Sequence, residues 1–201
     1  MDSHARITRQ FQLTALTLLV SFVTAACGDD GSPTQTKSTQ SIASVTINEV
    51  MSKNSTYLSD TGKKSDWLEF YNDGSTDVSL EGYFISDDKN ALLKAELPAA
   101  AVVPAKGHLV IWLDGTTDLE SPLHFPFKLS GDGENFYLST AEAVAVKKLT
   151  IPADPTGTNT AAADVSYGAY PDGASTRGWC RTPTPREPNS EDCVPGNDAG
   201  M

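Results

Sequence analysis

From residue 45 onward, apolar side chains recur in short runs with a period of two, and the runs are cut by clusters of Gly, Asp, Asn and Pro. That pattern, more than any single motif, limits what the chain can fold into. Period two sends alternate side chains to opposite faces of an extended strand. The β-branched and aromatic residues that fill the runs suit a half-buried pleated surface. Strands are expected over residues 45–51, 67–71, 78–85, 108–113, 125–129, 135–139, 144–151 and 165–170. The punctuation fits hairpins, because Asn72-Asp73-Gly74, Asp114-Gly115, Asp132-Gly133 and Pro171-Asp172-Gly173 each carry a Gly able to take a positive φ. Residues 140–149 offer a competing helix through Ala141, Glu142 and Ala143, but Val144, Val146 and Leu149 give only partial 3.6 spacing, so a hairpin is expected there. About eight strands with no long amphipathic helix between them argue for an all-β, antiparallel sandwich.

The N-terminal part follows other rules. Arg6 and Arg9 precede residues 11–23, where nine of thirteen residues are apolar, and the run closes on Thr24-Ala25-Ala26-Cys27. This is the order of a secretory signal, and the apolar run is shorter than the ~20 residues that span a bilayer. Residues 1–26 are therefore read as a signal peptide and set aside from the fold. The site at Cys27 resembles the lipobox of bacterial lipoproteins, whose thiol is lipidated and becomes the new N-terminus, although Thr24 stands where that family usually has Leu. A simple secretory cut after Ala26 is the alternative. Cysteine arithmetic favours lipidation. Of the three cysteines, Cys180 and Cys193 can pair in an oxidising compartment, which leaves Cys27 as an odd thiol unless it is acylated. Residues 27–44 then read as a lipidated cysteine and a polar tether that would hold the domain at an r.m.s. ~20 to 24 Å from its anchor.

Charge narrows the partners. The formal net charge is -11, and removal of residues 1–26 takes out Arg6, Arg9 and Asp2, which makes the mature chain one unit more acidic. Such a surface repels phosphate backbones, so nucleic acid is not an expected partner.

Within the strand-forming part, Ile47-Asn48-Glu49-Val50-Met51, Ser65-Asp66-Trp67-Leu68-Glu69-Phe70-Tyr71-Asn72 and Leu80-Glu81-Gly82-Tyr83-Phe84-Ile85-Ser86-Asp87-Asp88 resemble the bacterial branch of the lamin-tail domain family. The later blocks Pro104-Ala105-Lys106-Gly107-His108-Leu109-Val110-Ile111-Trp112, Leu123-His124-Phe125-Pro126-Phe127-Lys128-Leu129-Ser130, Asp164-Val165-Ser166-Tyr167-Gly168 with Tyr170-Pro171-Asp172-Gly173, and Thr182-Pro183-Thr184-Pro185 follow in the same order. Arg186-Glu187 departs from the small, Gly-Ala-like pair common at that place. The resemblance covers roughly residues 45–189, leaves residues 190–201 as a C-terminal tail, and implies an immunoglobulin-like β-sandwich that binds or supports and catalyses no reaction.

The residues themselves show no catalytic signature. Outside the signal only His108 and His124 remain, and neither lies in a G-x-S-x-G, H-E-x-x-H or P-loop context. Both read as packed or hydrogen-bonded edge residues, and no catalytic residue, metal ligand or cofactor is assigned. Glu49 and Glu69 lie inside strands, where a charge must face solvent or find a partner. Alternation places Glu69 on the face of Trp67 and Tyr71. An acid pair on one sheet face is one reading, but the stronger expectation is that one glutamate accepts hydrogen bonds from a loop or pairs with Lys or Arg. Asp87 and Asp88 with Asn90, and Asp60 with Asp66, could offer oxygens to Ca²⁺, yet they lack the D-x-[DN]-x-[DN]-G spacing and read as turn residues. Trp112 is expected in the core, and Trp179 is expected to cover the disulfide and one open end of the sandwich.

The function expected from sequence is a non-catalytic, membrane-tethered binding or structural module of the bacterial cell envelope. Its anchor is the lipid on Cys27, in the outer membrane on the periplasmic or surface face, and its partners are protein or cell-wall polymer. An accessory attachment domain beside a secreted hydrolase is the alternative; a metal-dependent enzyme is a third reading, which two histidines and unspaced aspartates do not favour.

Overall fold

The computed structural model of the chain describes residues 42–115, 121–153 and 164–193. Cys27, the signal, nearly all of the tether and the end of the C-terminal tail lie outside the described residues. A 3-10 turn, Ile42–Ser44, leads into β1 (Val45–Met51), β2 (Asp66–Asn72), β3 (Val78–Ser79), β4 (Phe84–Ser86), β5 (Ala95–Glu96) and β6 (Val102–Val103). Then follow β7 (His108–Leu113), β8 (His124–Phe125), β9 (Glu134–Ser139), β10 (Ala145–Ile151), β11 (Ser166–Ala169) and β12 (Arg177–Cys180). A six-stranded sheet runs β12-β11-β1-β2-β7-β8, a four-stranded sheet runs β10-β9-β4-β5, and β3 and β6 form a short ribbon.

The two larger sheets meet through their apolar faces. Val50, Leu68, Phe70, Ile111 and Leu113 from one pack with Ile85, Phe136, Leu138, Leu149 and Ile151 from the other. A second cluster, Met51, Trp67, Val110 and Trp112 with Tyr57 against it, lies apart from that core, formed by alternate residues of the same central strands. Trp67 and Trp112 are cross-strand partners there, so Trp112 is buried as expected, but on the outward face of the six-stranded sheet and not between the sheets. Because strand β2 is covered on both faces, nearly all its residues are buried and no exposure alternation survives along it.

One irregularity sets the phase of the central strands. The register runs Ile47↔Phe70 and then Glu49↔Glu69, so Asn48 is the extra residue of a β-bulge. Strict alternation would carry Val45, Ile47 and Glu49 to one face. The bulge keeps Ile47 and Val50 in the core while turning Asn48 and Glu49 to the outer face.

Other departures from the sequence expectation have local causes. The strand expected over 78–85 breaks into β3 and β4, because Gly82 takes φ 78° and Tyr83 N turns back to donate to Leu80 O at 3.0 Å, while Leu80 N and Gly82 N donate to Ala101 O and Leu97 O. The strand expected over 125–129 is regular only at His124–Phe125, although Gly115 N still donates to Phe127 O at 3.1 Å, and Pro126, which lacks an N–H, sits at the open edge of the sheet. Phe127 and Leu129 are nevertheless buried. The sheets are antiparallel except at β7–β8, whose pairing Trp112↔His124 and Leu113↔Phe125 is parallel. Residues 140–144 form the expected hairpin turn, with Thr140 N donating to Val144 O at 3.0 Å. Strands β5, β6 and β12 are not among the expected ones; the first two contain only two residues each.

Candidate functional site

The outer face of the six-stranded sheet carries a buried polar cluster built on the Asn48 bulge. Glu49 and Glu69 oppose each other in register, and both are 0% exposed. Asn48 Nδ2 donates to Glu69 Oε1 at 3.1 Å and to Asp172 Oδ1 at 3.0 Å, while Asn48 Oδ1 accepts from Gly173 N at 3.0 Å. His108 opens β7 and faces Asp172 Oδ2 at 3.0 Å, with Glu69 Oε1 at 3.9 Å. The Ser166 hydroxyl of β11 donates a short hydrogen bond to Glu49 Oε1.

The segment 181–193 forms a strap over this cluster, and the Cys180–Cys193 disulfide ties its end back to β12. Thr184 N donates to Glu49 Oε1 at 3.2 Å and Oε2 at 3.3 Å, and Arg186 N donates to Glu69 Oε2 at 2.6 Å. Asn189 N donates to Asp172 Oδ1 at 2.9 Å, and Asn189 Nδ2 donates to Ala169 O at 2.7 Å. Tyr57 OH reaches Pro183 O at 2.9 Å from the far side. The strap thus completes the hydrogen bonding of carboxylates that the sheet alone leaves open, as a dry polar group requires.

Burial governs the electrostatics of the pair. It pushes the Glu49 carboxyl up to about 7 and the Glu69 carboxyl up to about 8, against the lowering effect of the donors around them. Burial works in the opposite direction on His108, but the hydrogen bond with Asp172 and the nearby charge of Glu69 outweigh it and hold the imidazole above its ordinary value. Burial likewise opposes ionisation of Asp172, and the bonds from His108, Asn189 and Asn48 hold its carboxyl below the usual range.

His124 sits in a second polar group at the β8 edge. Its Nδ1 faces Asp114 Oδ2 at 2.7 Å and its Nε2 faces Asp60 Oδ1 at 2.5 Å, while the Ser121 hydroxyl donates to Asp60 Oδ2 at 2.7 Å. Both ring nitrogens are engaged and the side chain is buried. A cleft of about 500 Å³ opens beside it between β5 and β8, walled by Pro98, Pro122, Phe125 and Pro126.

The oxygen-rich pairs considered for Ca²⁺ take separate roles. Asp87 accepts from Lys94 Nζ at 2.6 and 2.8 Å, Asp88 accepts from Asn90 N, Asp66 accepts from Leu129 N, and Asp60 belongs to the His124 group. Among the described residues no group of three or more His, Cys, Asp or Glu side chains is arranged to hold a metal ion. Trp179 does not cover the disulfide. Alternation along β12 sends it away from Cys180, and it packs on its cross-strand partner Tyr167 with ring centroids 5.4 Å apart.

With this geometry in view, residues 38–168 match the Lamin Tail Domain family. The chain belongs to the lamin tail domain family. Its two-sheet architecture is the immunoglobulin-like β-sandwich of that family. No curated protein matches the chain. The matched residues end at Gly168, so β12, the disulfide and the strap of this lamin tail domain lie beyond them.

Asn48, Asp172, Thr184 and Asn189 were not singled out by sequence reasoning. Asn48 alone carried a local signal, since Asn is disfavoured in the middle of an apolar strand and marks an irregularity. The contacts of the others depend on chain segments more than 100 residues from β1 in sequence, with no local pattern to announce them.

Proposed function

We propose that this lamin tail protein is a non-catalytic binding or structural module held at the bacterial cell envelope by lipid on Cys27. The cysteine pairing carries the reading. With Cys180 and Cys193 joined, the third cysteine is the one that ends the export-type, lipobox-like segment Thr24-Ala25-Ala26-Cys27. Disulfides belong to oxidising compartments, where a lone thiol is a liability that acylation removes. Two or more acyl chains anchor stably where one does not, and the polar tether then keeps the sandwich clear of the lipid. The placement is the outer membrane, on its periplasmic or surface face.

The polar chemistry of the domain supports a module and not a reaction. The two buried glutamates spend their oxygens on the strap and on neighbouring strands, and both nitrogens of His124 are taken by carboxylates. The acidic balance of the chain favours protein or cell-wall polymer over nucleic acid as partner. Substitution of Cys27→Ser tests the anchor: the protein moves from the membrane to the soluble fraction. An unchanged distribution overturns it.

A further inference from the structure

The strap crosses the outer face directly over two glutamates that have no Lys or Arg beside them. Among the described residues no Lys or Arg pairs with either one, and the charged neighbour nearest to Glu69 is His108 at 3.9 Å. The groups that face the pair come from every element around it. Strand β1 gives Asn48, β7 gives His108, β11 gives the Ser166 hydroxyl, and the turn after β11 gives Asp172. The strap gives Thr184, the Arg186 amide and, near His108, Glu187; the loop after β1 gives the Tyr57 phenol; and β12 sends Arg177 to the carbonyls of Ile47 and Asn48. Two negative charges side by side in such a site have only His108, while it holds its proton, to offset their loss of water.

We propose that the strap is a pH-sensitive clasp, closed over the sheet while at least one of Glu49 and Glu69 keeps its proton and open to water once both are ionised. The disulfide fixes both ends of the moving segment, so opening lifts residues 183–189 without releasing the C-terminal part of the chain. The opened face presents Glu49, Glu69 and Asp172 together as an acidic patch.

The direction of the switch follows from the titration of the cluster. Glu49 and Glu69 in the closed form hold protons that freely hydrated carboxyls release, and His108 is likewise held above its ordinary value. Closure is therefore favoured at mildly acid pH and is lost as pH rises from the ordinary carboxyl value of 4.5 toward about 8. Asp172 is held low and stays ionised throughout that window.

Amide hydrogen exchange on the full chain, followed residue by residue from about pH 5 to about pH 9, tests the clasp. After division by the intrinsic exchange rate, the opening constant at Thr184 N and Arg186 N is expected to rise about tenfold per pH unit for each proton released. The Phe136 and Leu138 amides in β9 are expected to keep opening constants far below those of the strap at every pH. Substitution Glu69→Gln removes one of the two charges and flattens the rise; if that variant fails to fold, carboxyl ¹³C titration of the unaltered chain reads the same two groups. A pH-independent opening at Thr184 and Arg186, ordinary carboxyl titration of Glu49 and Glu69, or opening constants in β9 equal to those of the strap each overturns the proposal.

Discussion

Glu69 of β2 stands directly opposite Glu49 of β1, and neither side chain reaches solvent. Like charges placed opposite each other destabilise a sheet. This one tolerates them because burial favours the protonated form and because strand and strap donors surround the oxygens. The arrangement ties a segment beyond the family-matched residues to the two central strands of the larger sheet, and it makes the stability of the domain depend on pH.

That dependence has a definite sign. Between the ordinary carboxyl value of 4.5 and the folded values of about 7 and about 8, the folded domain binds more protons than the unfolded chain, so stability falls as pH rises. The slope is at most about 1.4 kcal/mol per pH unit for each such proton, and the loss levels off above the folded values. His108, also raised, contributes stability that is present below 6.5 and lost as pH rises through its folded value. Asp172, held below 3.8, sets the acid limit, since its contribution is lost as pH falls through its folded value. Urea midpoints measured across pH are expected to peak near about pH 5; a maximum on the alkaline side contradicts the buried pair.

Truncation of Glu69 separates shape from charge. Glu69→Ala strips the Arg186 amide and Asn48 Nδ2 of an acceptor and leaves a void, at a cost of about 2 to 5 kcal/mol. Glu69→Gln keeps the volume and the Arg186 acceptor but aims its NH2 at the Asn48 Nδ2 donor; leaving no void, it costs less than the alanine and weakens the alkaline loss of stability. Chemical denaturation of both variants at two pH values reads the difference, and equal losses at both pH values would count against it.

Arg186 occupies a conformation that suits glycine. Its φ is 72°, it follows Pro185 in a turn closed by Glu187 N donating to Thr184 O at 3.0 Å, and its guanidinium lies 5.8 Å from the centre of the Trp112 ring. Arg186→Ala keeps the left-handed backbone and loses the ring contact, which is worth about 0.5 to 1 kcal/mol at an exposed site. Arg186→Gly loses the same contact but relieves about 1 kcal/mol of backbone cost. The glycine variant is therefore expected to melt above the alanine variant, and the reverse order in a thermal denaturation series refutes the argument.

Gly168 lies opposite Glu49 across β1–β11, and a Cβ placed there meets Asn189 Nδ2 at 2.8 Å, Cys180 Sγ at 3.1 Å and Glu49 Cγ at 3.2 Å. All three contacts belong to the strap and its seat. Gly168→Ala should destabilise the domain by about 1 to 3 kcal/mol through overpacking. Crystallography or backbone chemical shifts of that variant should place the disturbance at residues 180–189, and a change confined to the far sheet speaks against a tight seat.

The strand pattern of the fold was legible because β-branched and aromatic residues fill short runs such as β7 and β9, because exposure alternates at the end of β10, and because Gly and Asp mark many of the turns. The break at Gly82 was not, since a glycine inside an alternating run gives no sign of whether it bends the chain or simply lacks a side chain. The parallel pairing of β8 escaped notice because a two-residue strand has too little sequence to reveal its direction. The disulfide could be read from cysteine number alone. The carboxylate pair could be read only halfway. Both glutamates stood out as charges in apolar strands, but strict alternation gave no means to see that Asn48 bulges and turns Glu49 onto the face of Glu69. The strap that covers them approaches from more than 100 residues away, and such contacts leave no periodic trace.

The most direct measurement of the central claim is the intact mass of the mature protein extracted from membranes of the cells that make it. The account predicts a chain beginning at Cys27, carrying at least two acyl chains on that residue and lacking two hydrogens through the Cys180–Cys193 disulfide. A soluble chain with an unmodified Cys27, or one whose mass retains residues 1–26, would contradict it.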